Sequence, residues 1–145
     1  MKRFVAVLAA AAALSGLGVT GAGQATAQTT GTATISSPTT CAWGPTSLVR
    51  NQVCLTVDGI LFSATGYSAN SGGVPRTLSY TLEARITDGE VLEREDVTAT
   101  VPVGGLTVGP VARTAPCGSS VTATFRTTTP GLPPLTATVT APVTC

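Results

Sequence analysis

Hydrophobic and polar residues alternate with a period of two along most of this chain, most clearly in its last third. In a strand, successive side chains point to opposite faces, so residues two apart share one. Across Ser119–Thr127 and Leu135–Val143 the odd positions carry Val121, Ala123, Phe125, Ala137, Val139 and Ala141, and the even ones are mostly Thr. Folding one segment back on the other sets Val121 opposite Ala141, Phe125 opposite Ala137 and Thr127 opposite Leu135. The same register places Cys117 opposite Cys145, at the open end of the apolar stripe. Pro142 lacks a ladder donor, so the last strand is predicted to lie at a sheet edge or a bulge.

Two Asp-Gly pairs mark two further hairpins. Around Asp58-Gly59 the strands are Leu48–Val57 and Ile60–Tyr67, with Val57 opposite Ile60, Leu55 opposite Phe62 and Val53 opposite Ala64. Around Asp88-Gly89 they are Leu78–Ile86 and Val91–Val101, with Tyr80 opposite Val97 and Glu83 paired with Arg94. Glu93 and Glu95 interrupt the apolar phase of Val91, Val97 and Ala99, which predicts a hairpin tip projecting beyond the sheet. Thr32–Ser36 reads as a first strand and Cys41–Pro45 as a loop carrying Trp43. Ser68–Pro75 reads as a long surface loop, Pro102–Pro110 as a Gly/Pro connection and Val111–Ala115 as a short strand. No segment has helical spacing. The expected fold is all-β, an immunoglobulin-like antiparallel β-sandwich of about seven to eight strands, with a small closed barrel as the alternative.

The N-terminus breaks this pattern. Lys2 and Arg3, the uncharged run Phe4–Leu14 and the Ala25-Thr26-Ala27 site have the form of a secretory signal peptide, residues 1–27. The apolar run is too short to span a bilayer, which takes about 20 residues. Residues 28–145 are then one β-sandwich domain of a secreted, extracellular protein. Loss of Lys2 and Arg3 takes eight basic residues to six against seven acidic ones, a net charge of −1, and no lysine or histidine remains. Such a chain has no basic footprint for nucleic acid and none for an acidic membrane surface. No Asn-x-Ser/Thr acceptor is present.

Four cysteines behind a signal peptide imply two disulfides. Cys54 shares the outward phase of Gln52 and Thr56, whereas Cys117 shares the inward phase of Val121. An immunoglobulin-type Cys54–Cys117 bridge needs both inside, so the predicted bridges are Cys41–Cys54 and Cys117–Cys145. In the chain-entropy model such loops contribute about 3 and about 3.6 kcal/mol.

Candidate chemistry is sparse. Ser, Thr or Cys nucleophiles need a base such as His or Lys, and residues 28–145 have neither. No ordinary zinc set and no cofactor motif is present, so catalytic, metal and cofactor residues are all read as none. Glu90, Glu93, Glu95 and Asp96 cluster beside Asp88, and the simplest reading of this tip, 88–96, is a solvated acidic turn. Calcium is the ion such oxygens would take. Trp43 and Tyr67 are candidate partner contacts, although Trp43 packed over the Cys41–Cys54 bridge as a lid on the core is the simpler role. Leu132, on the proline-stiffened loop 128–134, is the third candidate contact.

The segment Cys41-Ala42-Trp43, followed by Cys54, is similar to a piece of the secreted actinobacterial chromoprotein apoproteins of the neocarzinostatin type. That resemblance implies a bacterial, immunoglobulin-like sandwich carrying a small molecule in a cleft. In that family the motif lies further from the mature start and the second bridge closes a small loop, so no ligand residue is carried over. The first expectation is a non-enzymatic binding or surface-interaction module for an extracellular protein, a cell-wall component or a small ligand. The alternatives are a small-molecule carrier with an apolar cleft and a secreted protease inhibitor using loop 128–134.

Overall fold

The computed structural model describes residues 37–145; the signal peptide read at 1–27 and the strand read at Thr32–Ser36 lie outside the described residues. Eight strands follow in order: β1 (Thr39–Trp43), β2 (Val49–Asp58), β3 (Leu61–Asn70), β4 (Arg76–Ile86), β5 (Val91–Val101), β6 (Gly104–Thr114), β7 (Ser120–Thr128) and β8 (Leu135–Pro142). They form two antiparallel four-stranded sheets, β1-β2-β3-β6 and β5-β4-β7-β8. The chain changes sheet after β3, β5 and β6, and β2-β3-β6 packed on β5-β4-β7-β8 is the Greek-key order of an immunoglobulin-like sandwich. Hydrogen bonding stops at β1, β6, β5 and β8, so the sheets do not close into a barrel.

The terminal hairpin has the register its alternation predicts, from Val121↔Ala141 to Thr127↔Leu135, and β8 with Pro142 is an edge strand. Both bridges form as expected: Cys41–Cys54 ties β1 to β2, and Cys117–Cys145 closes the far end of β7 and β8. The interior is built from Val, Leu and Ala around Phe62, Tyr80 and Phe125, with Tyr80 and Phe125 stacked at 5.4 Å. Apolar burial of this kind is the main stabilising contribution.

Four expectations need correction. In the first hairpin Val57 pairs with Phe62 and Leu55 with Ala64, two residues from the predicted register. Gly59, at φ 58°, and Ile60 form the turn in place of Asp58-Gly59. Glycine is needed at the first central position of a II′ turn, and a two-residue slip leaves every side chain on its predicted face. Ser68–Asn70 complete β3, because Ser68 and Asn70 bury their polar groups with partners, and the loop is only 71–75.

The supposed Pro102–Pro110 connection is mostly β6, which accommodates Pro110 after a positive-φ Gly109, opposite a bulge at Ala64/Gly66. Glu93 and Glu95 do not project past the sheet; from edge strand β5 they pair with the core residues Ala84 and Leu82 of β4. An edge lets their carboxylates reach out sideways. Arg113 of β6 approaches Glu93 at 4.0 Å and donates from Nη1 to the Leu92 carbonyl at 2.7 Å, occupying part of an otherwise unpaired edge.

The outer face of β5-β4-β7-β8 carries a lattice of hydroxyls that bond one another across strands, beside a charged cluster of Glu83, Arg85, Arg94, Asp96 and Arg126. Thr77–Thr100, Ser79–Thr98, Thr122–Thr140 and Thr124–Thr138 lie 3.0, 3.1, 2.9 and 3.5 Å apart. Cross-strand pairs of this type contribute about 0.2–1 kcal/mol each.

Candidate functional site

The two sheets differ in what they present to solvent. On the outer face of β1-β2-β3-β6, register pairs Trp43 with Gln52 and Gln52 with Tyr67, one row across three strands. The Trp43 and Tyr67 rings meet edge-to-face with centroids 6.3 Å apart. Arg50, two residues before Gln52 on the same face, lays its guanidinium over the Trp43 ring at 4.6 Å. Such cation–π contact is worth about 0.5–1 kcal/mol where exposed. The Tyr67 hydroxyl donates to the Gly104 carbonyl at 3.0 Å, and Gly105 leaves room for that ring, which fixes its angle.

Trp43 is therefore not the expected lid on the core. The residue is 43% exposed and its ring points away from the interior, because β1 continues through Trp43 where a loop was expected. β1 has five residues and none is fully buried. It is nevertheless held by a complete ladder to β2 and by Cys41–Cys54, whose cysteines precede Trp43 and follow Gln52 by two residues on the same face. The covalent tie thus fixes the strand that carries the indole.

Leu132 does not join this row. It is 65% exposed on the β7–β8 loop, where its N–H donates to the Thr129 carbonyl at 3.1 Å. With Leu48, Val49, Leu78 and Leu135 it lines a cleft of about 300 Å³ between loop ends, at the lower limit of small-molecule pockets. Leu48, Val74 and Val103, from the three other loops at that end, are each 58% exposed.

Beneath the loop end lies a polar cluster that the strand pattern did not reveal. Asn51 donates from Nδ2 to Thr127 Oγ1 and to the Leu135 carbonyl, both at 3.0 Å, and accepts from the Ser68 hydroxyl at 3.0 Å. It therefore joins β2, β3, β7 and β8. Burial pushes the adjacent Tyr80 phenol above its ordinary value, partly offset by Ser68. Ser68 directs its proton to Asn51, and the buried Tyr80 oxygen has no well-formed hydrogen bond among the described residues.

The acidic stretch 88–96 does not gather into a cation site. Among the described residues no three carboxylate, Cys or His groups converge as metal ligands would. Asp96 instead accepts from Arg94 at 2.8 Å and from Thr81 at 2.7 Å, which holds its carboxyl below the usual range. Glu83 bridges Arg85 at 2.6 Å and Arg94 at 3.6 Å, the cross-strand pair expected.

Arg50 was missed in the sequence. The signal was present: given Cys41–Cys54, an antiparallel strand through Trp43 must place the indole opposite Gln52 and diagonal to Arg50. Reading Cys41–Pro45 as a loop hid it. No protein-family model matches the chain, and no curated protein or solved structure matches it significantly.

Proposed function

We propose that the protein is a secreted, non-enzymatic binding module that meets an extracellular partner with the outer face of β1-β2-β3-β6. One observation carries this reading. A strand that buries only part of Ala42 against the core is covalently stapled in place, and it holds the chain's only tryptophan outward against Arg50 and Tyr67. Exposed, rigid aromatics paired with arginine are typical of interface anchors. The two disulfides, and the lack of any helix long and apolar enough to cross a membrane among the described residues, are compatible with an extracellular location.

The test is retention on intact bacterial cells and isolated cell walls. Trp43→Ala and Tyr67→Ala are expected to reduce retention several-fold, and Thr138→Ala on the opposite sheet to leave it unchanged. Equal retention of all three would remove the face from consideration.

A second reading is favoured by the exposure of Leu132 on a loop containing Pro130, Pro133 and Pro134. There the loop end engages a protein, a secreted protease being the first to try. Inhibition that disappears in Leu132→Asp and persists in Trp43→Ala would establish it.

A further inference from the structure

The platform has a charge of one sign. Of the charged residues on β1, β2, β3 and β6, Asp58 and Arg113 lie at the opposite end, where Asp58 pairs with Leu61. Arg50 alone stands at the Trp43 end of this sheet, and no carboxylate among the described residues bridges it; Arg76 and Arg126, on the other sheet, are likewise unbridged, whereas Arg85, Arg94 and Arg113 are paired. Its Nε is buried against the platform without an acceptor. Its terminal nitrogens make no hydrogen bond among the described residues and are the donors an incoming anion would meet.

Resting on the reading of this face as a binding surface, we infer that its ligand is an acidic saccharide, a sugar chain bearing carboxylates. The physical match has three parts. The indole face, electron-rich and left partly open by Arg50 and Tyr67, accepts the weakly positive C–H face of a pyranose ring. The planar guanidinium offers paired N–H donors that suit a carboxylate in bidentate geometry. Gln52, in the row between Trp43 and Tyr67, supplies amide donor and acceptor groups to sugar hydroxyls. An acidic peptide is less well served, since the large cavity on this face, about 490 Å³ between Thr56, Leu61, Ser63, Ala112 and Thr114, lies toward the Asp58 end and away from Trp43 and Arg50.

Trp43 is the only tryptophan, so its fluorescence reports on this site alone. Titration of the full chain with tetragalacturonate is expected to give a saturable change in Trp43 emission that weakens as salt is raised. Arg50→Gln is expected to lower the affinity about tenfold, the loss of one charge-assisted contact. Neutral chitotetraose should bind at least as weakly as tetragalacturonate binds that variant. An unchanged denaturation midpoint for Arg50→Gln confirms that β1 is still seated.

No saturable signal at millimolar tetragalacturonate, or equal binding of chitotetraose, overturns the acidic-saccharide assignment. Tighter binding of poly-glutamate than of the uronate overturns it in favour of an acidic peptide. If the uronate fails while wall retention still depends on Trp43, the surface stands and its ligand is wrong. If retention is also indifferent to Trp43, the binding surface itself falls.

Discussion

Gly66 of β3 and Phe125 of β7 meet across the interior with no space between them: a Cβ on Gly66 would lie 2.5 Å from Phe125 Cδ2. These strands occupy the places of the pair that a disulfide joins in antibody domains. Here a ring resting on bare backbone does that work, and both bridges are left for the sheet margins. Gly66→Ala is therefore expected to destabilise the fold by about 1–3 kcal/mol through overpacking. Urea unfolding would show this as a lower midpoint, and an unchanged midpoint would mean the ring has freedom to move.

The buried Asn51 amide makes three hydrogen bonds to groups on three strands, two of them buried and the one to the Leu135 carbonyl partly so. Asn51→Ala removes them together and leaves Thr127, Ser68 and the Leu135 carbonyl short of partners. The expected loss is about 1–3 kcal/mol, measured by chemical denaturation. Hydrogen exchange should rise first at the start of β8.

The strand pattern made most of the architecture legible and hid much of the site. Where a face was uniformly apolar, as at Val121, Ala123 and Phe125, period-two alternation sufficed to give register and bridge together. It failed where polarity and burial part company. Ser68 and Asn70 look like loop residues because their partners, Asn51 and the Val101 carbonyl, are remote in sequence. Gly109-Pro110 looks like a linker because the bulge that accommodates it belongs to β3. Arg50 is an ordinary polar residue of β2 until Trp43, on a different strand, is placed beside it.

Tyr80 links stability to alkaline pH. Its folded-state value is raised above the ordinary 10.0 by burial. Above pH 10 the unfolded chain releases the phenolic proton while the folded chain retains it, so stability falls as pH rises from there through the folded value. Tyr80→Phe should remove this contribution from the loss of stability as pH rises above 10.0. At neutral pH the exchange should be neutral or slightly stabilising, because it deletes a buried hydroxyl without a well-formed bond.

Asp96 acts in the opposite window. Hydrogen bonds from Arg94 and Thr81 depress its value below 3.8, so its contribution is complete above that pH and is lost as pH falls through the depressed value. Asp96→Asn should leave a flatter acid limb in a stability–pH curve. The change should be small, since the pair is exposed to solvent and salt.

Replacing Cys41 and Cys54 together by Ala tests what the outer bridge is for. The chain-entropy estimate is a loss of about 3 kcal/mol. Trp43 emission should shift to the red in the folded state as β1 loosens, while replacement of Cys117 and Cys145 should lower stability without that shift.

The hydroxyl lattice on the far sheet has a practical corollary. Groups such as Thr122 and Thr140, or Thr124 and Thr138, already bond each other, so the β7–β8 margin of that sheet suits chemical attachment. Residues 37–145 contain no lysine, so Thr138→Lys would place their one side-chain amine there for coupling to a sensor chip. Every immobilised copy coupled through it would then face the same way, indole toward the flowing solution.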